Sequence, residues 1–403
     1  MNARTNKCQR EDTRILFLNQ VAGPLFRELA ADVAVSLGRS ILLTGHGSAA
    51  AREAGPALQV VRSPDYDRRN LVRRAYSWLA YFAVALRMAF TVPRGTLLFI
   101  VSNPPFLPLA GWLAKKLRGQ RYVVLVYDVY PGLLESLGTL KRNGVAALLW
   151  RQFNRLTWGQ AERIFTIGNY MAANIRAMQA ADAISCPVEV IANWADVEFI
   201  KPLPKEQNWF ARRHGRAGRL TVLYSGNLGI THDIESIVEA ATALRDDPAI
   251  EFLVIGAGPK WSLVERAIQA QGLTNVTLLP FQLEKDLPFT LTTGDVALIT
   301  LESGIEGLSV PSKTFYAMAS GAALIGLTHG PNEVTEIIER FGCGLTVEPG
   351  DVAGLKLAIQ RFQQDRAFLS ECRRRARQAA EEHFSRANTQ LYVEARRTYC
   401  PQV

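Results

Sequence analysis

Short apolar runs alternate with longer stretches of helical periodicity along almost the whole chain. The runs are rich in Val, Ile and Leu, which is typical of strands buried on both faces, and the stretches between them can hold helices. This alternation predicts parallel sheets covered by helices. We predict strands at 14–18, 41–44, 97–102, 122–128, 163–167 and 188–192, and then at 221–225, 251–255, 276–280, 296–301, 323–327 and 344–347.

The pattern stops at 201–218, KPLPKEQNWFARRHGRAG, which is rich in Pro, Gly and charge and has the composition of a linker. We therefore predict an α/β fold of two doubly wound, Rossmann-like domains, 1–200 and 219–385, facing each other across a cleft. Ligands of such folds bind outside the carboxyl ends of the strands. A final helix at 386–403 has the N-terminal domain as its candidate packing partner.

The longest apolar stretch is 71–92, LVRRAYSWLAYFAVALRMAFTV. Arg73, Arg74 and Arg87 interrupt it, so it is no membrane span. The arginines and the aromatic residues between them fit a helix lying on a membrane surface. A helix packed beneath a sheet would be nearly as apolar, and both alternatives stay open.

The net charge of +9 is carried by the first half of the chain. Residues 1–200 hold 24 Lys and Arg against 14 Asp and Glu, whereas 201–403 hold 22 against 23. An excess of basic residues in one half of the chain indicates an anionic partner, such as anionic lipid or a phosphorylated acceptor. The alternative is solvated surface charge without a partner. No nucleic-acid-binding module or Lys/Arg-rich block supports a nucleic-acid partner.

The five cysteines are scattered, at Cys8, Cys186, Cys343, Cys372 and Cys400. Their spacing matches neither a metal site nor a disulfide framework, which favours a reducing compartment. The first fifteen residues are polar and lack the apolar region of a signal peptide. We therefore expect a cytoplasmic protein without a structural metal.

The segment 302–321, ESGIEGLSVPSKTFYAMASG, predicts an anion site. Gly304 and Gly307 let the backbone approach a ligand closely, and Pro311 suits the first turn of a helix, whose free amides attract anions. Lys313 lies at that helix start, where a cation opposes the helix dipole unless an anion binds there. A phosphate ester is the ligand that this arrangement favours.

The loop YSGNLGITHD follows another predicted strand. Gly226 and Gly229 flank Asn227 there, and such a loop presents backbone amides to a phosphate. His232 can add a donor from the start of the next helix. The alternative is an ordinary glycine-containing turn before a capped helix.

Three further loops follow strands. Gly256 and Gly258 lie in IGAGPK, which lacks the third glycine of a dinucleotide fingerprint and indicates a tight turn beside a nucleotide. Asp128 ends a buried strand in VYDVYPG, where a carboxylate can act as an acid, a base or an orienting group, or can cap a helix. Gly23, in NQVAGPLF, permits close approach of a ligand to the helix that follows.

Taken in order, SGNLG, GAGP, LPF at 279–281 and VPSKTFYAMASG resemble family 4 of the retaining glycosyltransferases, which have the GT-B architecture. The resemblance is strongest over 221–351 and extends to SNPPFLP and YDVYPG in the first half. It is closest to the branch that builds bacterial exopolysaccharide, colanic-acid and O-antigen units.

The resemblance also implies roles for individual residues. Domain 219–385 would bind the nucleotide sugar, and domain 1–200 would bind the acceptor, with Asp128, Lys313 and Glu306 as the catalytic residues. Tyr316 occupies the position where the family has a glutamate that holds the ribose. Residues implied at the donor diphosphate and sugar are Gly23 (toward the acceptor side), Gly226, Asn227, Gly229, His232, Gly307, Leu308, Ser309 and Ser312; those at the nucleoside are Gly256, Gly258, Phe281 and Tyr316.

The implied activity is transfer of a hexose from a UDP- or GDP-linked donor to a lipid-linked oligosaccharide, with retention of configuration. Such an enzyme needs no cofactor and no metal ion, because helix amides and one lysine can stabilise the leaving diphosphate. It would work on the inner face of the plasma membrane as a peripheral protein, making exopolysaccharide or lipopolysaccharide, without a nucleic-acid partner.

Two alternatives belong to other classes. A nucleotide-sugar epimerase shares the two-domain architecture and would convert a UDP-sugar without any acceptor. A degenerate transferase acting as a scaffold or regulatory subunit is suggested by the missing ribose glutamate, and it would bind neither UDP nor GDP.

Overall fold

The computed structural model describes residues 14–45, 55–67, 69–181, 186–214, 216 and 218–399. The chain divides into two compact units, one of Met1–Ala192 with Ala387–Val403 and the other of Asn193–Arg386. Each unit is built on a parallel sheet with helices between its strands, so the predicted α/β class with two Rossmann-like domains is confirmed.

The first unit contains a seven-stranded sheet. Its strands are β1 (Ile15–Leu18), β2 (Ser40–Thr44), β3 (Leu58–Arg62), β4 (Leu97–Val101), β5 (Tyr122–Val126), β6 (Arg163–Thr166) and β7 (Val188–Val190). Their spatial order is β3-β2-β1-β4-β5-β6-β7, with every pair parallel. Its helices are α1 (Pro24–Leu37), α2 (Leu71–Thr91), α3 (Pro108–Arg118), α4 (Gly132–Ser136), α5 (Val145–Trp158) and α6 (Asn169–Ala181).

The second unit contains a six-stranded sheet. Its strands are β8 (Leu220–Asn227), β9 (Ile250–Ala257), β10 (Val276–Leu279), β11 (Val296–Thr300), β12 (Ala323–Leu327) and β13 (Gly344–Val347), in the parallel order β10-β9-β8-β11-β12-β13. Its helices are α7 (Trp209–Arg213), α8 (Glu235–Ala243), α9 (Trp261–Gln271), a 3-10 turn (Glu284–Asp286), α10 (Leu287–Thr292), α11 (Lys313–Ala319), α12 (Glu333–Phe341), α13 (Val352–Gln364) and α14 (Arg366–His383).

All twelve predicted strands are present, and β3 is an additional one. Its sequence, LQVVR, pairs with β2 at the sheet edge, and its three central residues are only half-buried. An edge strand needs no continuous apolar run. The polar Gln59 interrupts the apolar residues of β3, so the hydrophobic pattern did not predict this strand.

The stretch expected as a linker, 201–218, was interpreted wrongly. It lies inside the second unit, where it forms α7 and buries Phe210. Asn208 holds this segment in place, because its side-chain oxygen accepts from the amide of Phe210 at 2.9 Å and its nitrogen donates to the carbonyl oxygen of Phe289 at 2.7 Å. The boundary between the two units lies instead between residues 192 and 193.

The final helix, α15 (Asn388–Tyr399), belongs to the first unit. It packs against α1, where the hydroxyl of Thr389 donates to Asp32 at 2.9 Å. Tyr392 is 3% exposed, and its ring centroid lies 5.0 Å from that of Phe165. The first unit is therefore made of two separate pieces of chain.

Helix α2 is packed on its own unit, as one of the two alternatives for 71–92 expected, and contact with a membrane stays a prediction. Tyr81 and Ala85 are fully buried on its inner face. On its outer face Val72, Tyr76 and Leu79 are 79%, 75% and 60% exposed. The helix therefore packs on its own unit and still presents an apolar surface.

Three negative findings apply to the described ranges only. Cys186, Cys343 and Cys372 are buried and free, whereas Cys8 and Cys400 lie outside those ranges. No group of three or more His, Cys, Asp or Glu side chains there is placed to hold a metal ion. No helix within them is both long and apolar enough to cross a membrane.

Candidate functional site

The strand order of the second unit reverses between β8 and β11, whose connections run to opposite sides of the sheet. In open parallel sheets, ligands bind outside the carboxyl ends of the strands at such a switch point. The SGNLG turn forms the end of β8 and the first residues after it, and the 302–321 segment follows β11; these are the two strongest candidates from the sequence. The topology therefore brings both predicted phosphate elements together.

A pocket of about 230 Å³ opens at this point. Five of the predicted donor-site residues line it: Gly226, Phe281, Ser312, Lys313 and Tyr316. They come from three separate segments, the end of β8, the stretch after β10 and the start of α11. Leu287 and Leu291 of α10 complete an apolar wall that the sequence analysis did not identify.

Lys313 turns its side chain into the site. Its Nζ donates to the phenol oxygen of Tyr224 at 2.9 Å and lies 4.2 Å from the centroid of that ring. Burial lowers the pKa of Lys313 to about 7. Within the described part of the chain, no carboxylate forms an ion pair with this ammonium, so two of its three N–H groups are available to a ligand.

Tyr224 is a residue that the sequence analysis missed. It is 1% exposed at the end of β8, and its hydroxyl donates to the carbonyl oxygen of Asn227 at 2.6 Å while accepting from Lys313. The phenol therefore connects the SGNLG turn to the start of α11. Its position one residue before SGN was the available signal, but a tyrosine there also fits an ordinary strand.

Gly226 and Asn227 belong to β8 itself, opposite Gly256 and Ala257 of β9. A β-carbon on Gly256 would overlap the carbonyl oxygen of Gly226, and one on Gly258 would lie 2.5 Å from that of Leu228. Packing of the two strand ends thus explains both glycines. Neither of them lines the pocket, and their contact with a nucleoside stays a prediction.

His232 is half-buried, and its Nδ1 lies 2.9 Å from the carbonyl oxygen of Thr300. Burial, followed by the charges of Lys313 and Lys260, lowers the pKa of His232 to about 4. A neutral imidazole that donates from Nδ1 to a carbonyl has an acceptor at Nε2. In the ligand-free protein at neutral pH, Nε2 of His232 is therefore an acceptor, and the contact of His232 with a phosphate stays a prediction.

Acidic side chains already occupy the amino end of α8. Asp233 accepts from the amide of Ser236 at 3.0 Å, and Glu235 accepts from the amide of Ile234 at 3.1 Å. These two amides are therefore not free for a phosphate, and the contact of the SGNLG turn with a diphosphate stays a prediction. Gly229 lies in the turn before it, beside the side chain of Asn227.

Lys260 ties three parts of this region together. Its Nζ donates at 2.7 Å to the carbonyl oxygen of His232 and at 2.8 Å to each of Glu235 and Glu302. Although burial works against its charge, the two carboxylates raise the pKa of Lys260 above its usual value. In the sequence Lys260 is only the last residue of IGAGPK; in the structure its hydrogen bonds position the loops.

The loop before α11 bends at Gly304 and Gly307, whose φ angles are 83° and 66°. These left-handed conformations favour glycine. Glu306 accepts from the amide of Gly304 at 2.7 Å through Oε2, while its buried Oε1 has no partner among the described residues. Leu308 and Ser309 are half-buried and do not line the pocket, so their contact with a donor sugar stays a prediction.

The other two predicted site residues, Asp128 and Gly23, lie in the first unit. Asp128 is half-buried just after β5, and Gly23 precedes α1 at the switch point between β1 and β4. Gly23 has a φ of −70°, and a β-carbon there would meet nothing within 4 Å. Neither backbone conformation nor packing requires glycine at 23.

Two family models match the chain. Residues 219–365 match the model "Glycosyl transferases group 1", and residues 18–194 match "Glycosyl transferase 4-like domain". The two matches correspond to the two units and together span most of the described residues.

Curated relatives and solved structures agree with these models. The chain is 29% identical over 305 residues to "Probable glycosyltransferase WbjE" of Pseudomonas aeruginosa, covering 74% of each chain. It is 28% identical to "Putative colanic acid biosynthesis glycosyl transferase WcaI" of Escherichia coli, over 62% of this chain and 61% of that one. The crystal structure of Anabaena HepE with UDP and glucose superimposes with a TM-score of 0.71 at 17% identity, over 96% and 100% of the chains, which shows a shared fold.

Proposed function

Because the chain belongs to the group 1 glycosyltransferases, we propose that it transfers a sugar from a UDP- or GDP-activated donor during synthesis of a cell-surface polysaccharide. The observation that carries this proposal is the Lys313 ammonium, directed into a pocket at the switch point without a carboxylate partner among the described residues. The colanic-acid relative and the UDP in the HepE structure support the product class and the donor.

The pocket suggests how the donor is held. The diphosphate would lie at Gly226 and Ser312, within reach of Lys313. Phe281, 58% exposed at the rim, offers a ring face on which a base can stack, and Tyr316 lies beside the ribose position. The wall formed by the leucines of α10 would exclude water from this side.

The chemistry then depends on charge that develops on the leaving diphosphate. The bond from the anomeric carbon to the phosphate oxygen breaks, and a bond to the acceptor oxygen forms on the same face of the sugar. The acceptor proton passes to the leaving phosphate. Lys313 stabilises the developing charge without a metal ion, and Asp128 orients the acceptor hydroxyl.

A lipid-linked acceptor and peripheral attachment are supported by the outer surface of the first unit. Helix α2 packs on α3, and α3 packs on α5; these helices contain three, three and two basic residues and no acidic residue. Apolar side chains between 45% and 79% exposed lie among them: Val72, Tyr76, Leu79, Leu117, Val145, Leu148, Leu149 and Leu156. A basic and apolar surface of this kind suits an anionic bilayer.

Donor binding tests the proposed activity most directly. Isothermal titration with UDP and with GDP should give binding to one of them, unchanged by EDTA, and a panel of nucleotide sugars should then identify the sugar by slow hydrolysis. Absence of binding to both nucleotides at millimolar concentration would support the scaffold alternative. Conversion of a UDP-sugar to its epimer without acceptor would support the epimerase.

Membrane attachment has a separate test. The protein should float with vesicles containing anionic lipid at low salt and should not float with zwitterionic vesicles. Leu79→Asp should abolish flotation, whereas Leu357→Asp, at a 66% exposed position in the second unit, should not. Absence of flotation at low salt would contradict the attachment.

A further inference from the structure

The pocket at the switch point of the second unit has a single polar region, around Lys313. The polar lining comes from two places, Ser225 and Gly226 at the end of β8 and Ser312 and Lys313 at the start of α11. A β-carbon on Gly226 would lie 3.8 Å from the side chain of Lys313, so these two places adjoin. Apart from Tyr316, every other residue of the lining is apolar.

Tyr316 lies next to this polar region. It follows Lys313 by three residues on α11, and residues three apart are neighbours on the surface of a helix. In the proposed donor complex the diphosphate lies at Lys313 and the base stacks on Phe281, so the ribose lies between them, beside Tyr316. A tyrosine offers a ribose the face of its ring and at most one neutral hydroxyl group.

The lining contains no side chain of the kind that usually binds a ribose diol. In dinucleotide sites of doubly wound folds, an Asp or Glu accepts a hydrogen bond from the ribose 2′-hydroxyl. Among the described residues that line this pocket there is no Asp, Glu, Asn, Gln or His. The wall beside the ribose position is therefore apolar except for one phenol.

Carboxylates in the neighbouring loops are engaged with other groups. Glu235 and Glu302 each accept from Lys260 at 2.8 Å. Glu306 accepts from the amide of Gly304 at 2.7 Å through Oε2, and it does not line the pocket. Its buried Oε1 has no partner among the described residues, so Glu306 is the carboxylate that an experiment on the ribose has to exclude.

From this lining we propose that the site discriminates only weakly against a donor that lacks the ribose 2′-hydroxyl, a proposal that rests on the proposed function. A site that pairs a carboxylate with a hydroxyl rejects the analogue without it, because the buried carboxylate is left without its hydrogen bond. An apolar wall with one neutral phenol loses little when the hydroxyl is absent. Sugars linked to 2′-deoxynucleoside diphosphates therefore belong to the donor class of this protein.

Isothermal titration of UDP against 2′-deoxy-UDP, and of GDP against 2′-deoxy-GDP, tests the proposal. For the pair that binds, the Kd of the deoxynucleotide should exceed that of the ribonucleotide by no more than about tenfold, the effect of one neutral hydrogen bond. Tyr316→Glu places a carboxylate at the ribose position and should raise this ratio of Kd values above that limit. Leu283→Glu, at a 65% exposed position outside the lining, adds the same charge as a matched control and should leave the ratio unchanged.

A ratio above the limit in the unmodified protein would overturn the proposal and leave the proposed function standing. If Glu306→Gln then lowered that ratio, the ribose would be assigned to the Glu306 carboxylate instead. An unchanged ratio in Tyr316→Glu would overturn the placement of the ribose beside Tyr316. The first comparison uses the unmodified protein and so does not depend on the folding of any variant. Absence of binding of all four nucleotides would refute the proposed function itself.

Discussion

The ammonium of Lys313 donates to the hydroxyl of Tyr224 at 2.9 Å and lies 4.2 Å from the centre of its ring. A neutral phenol is a weak partner for a cation, and the Lys313 side chain is half-buried, so burial lowers the pKa of Lys313 to about 7. The ligand-free site therefore holds a destabilised charge that a diphosphate can neutralise.

Replacement of Lys313 should stabilise the ligand-free protein. The folded-state pKa of about 7 lies below the ordinary value of 10.5, so folding opposes the charged form. This cost is complete below pH 7, falls as the pH rises from about 7 to 10.5, and then disappears. Lys313→Met should thus melt at a higher temperature than the unmodified protein at pH 6, with a smaller difference at pH 10. A lower melting temperature at pH 6 would contradict the buried charge.

The affinity for UDP should depend on pH through the same group. Only the protonated lysine attracts a diphosphate, so the affinity should fall as the pH rises through about 7. Lys313→Arg stays charged throughout and should not show this fall by isothermal titration. Tyr224→Phe removes the acceptor that favours the ammonium and should move the midpoint to lower pH. Equal profiles for all three proteins would exclude Lys313 as the diphosphate partner.

Gly256→Ala should destabilise the second unit. The added methyl group overlaps the carbonyl oxygen of Gly226 in the paired strand, and backbone cannot move aside as a flexible side chain can. We expect a loss of about 1–3 kcal/mol in the free energy of unfolding, as for other overpacked sites. Urea denaturation measures it, and Gly272→Asn, which fills no occupied space at a left-handed helix end, is the control.

Gly23→Ala should show whether Gly23 serves ligand binding or only the stability of the fold. The position has an extended backbone and open space around it, so alanine should cost at most about 1 kcal/mol as a poorer helix cap. If a ligand approaches the backbone here, transfer activity should fall far more than the melting temperature implies. Unchanged turnover would remove Gly23 from the site.

Tyr392→Ala should weaken the first unit although it lies near the carboxyl end of the chain. The buried ring packs on Phe165 and Phe99, and its removal should cost about 3–5 kcal/mol, as for other large aromatic truncations. Leu391→Ala, next to it and 42% exposed, is the matched control. The proposed UDP site lies in the second unit, so UDP affinity should survive in both variants; its loss in Tyr392→Ala would show that the damage is not confined to the first unit.

The sequence predicted twelve of the described strands because apolar runs report burial directly. It also predicted that Lys313 and Tyr316 would share a site, and both line the pocket, whereas an anion bound there stays a prediction. Strand β3 was missed because it is half-exposed at an edge, where the burial signal is weak.

Other features depend on residues far apart in the sequence. Gly256 fits the nucleotide motif, but the carbonyl oxygen of Gly226, thirty residues earlier, explains why it must be glycine. His232 was expected to donate to phosphate, yet the carbonyl oxygen of Thr300 fixes its proton on Nδ1. Tyr224 is part of the site because the fold places the ammonium of Lys313 against its ring. Contacts between residues so far apart produce no periodic pattern in the sequence and therefore could not be predicted from it.

The return of α15 to the first unit determines the order in which this protein can be completed during synthesis. The second unit begins and ends at nearly the same place, since the amide of Ala195 donates to the carbonyl oxygen of Phe384 at 3.0 Å. Chains emerge from the ribosome amino end first. All residues of the second unit therefore leave the ribosome before the first unit receives α15, so the six-stranded sheet can form completely before the core of the first unit is closed.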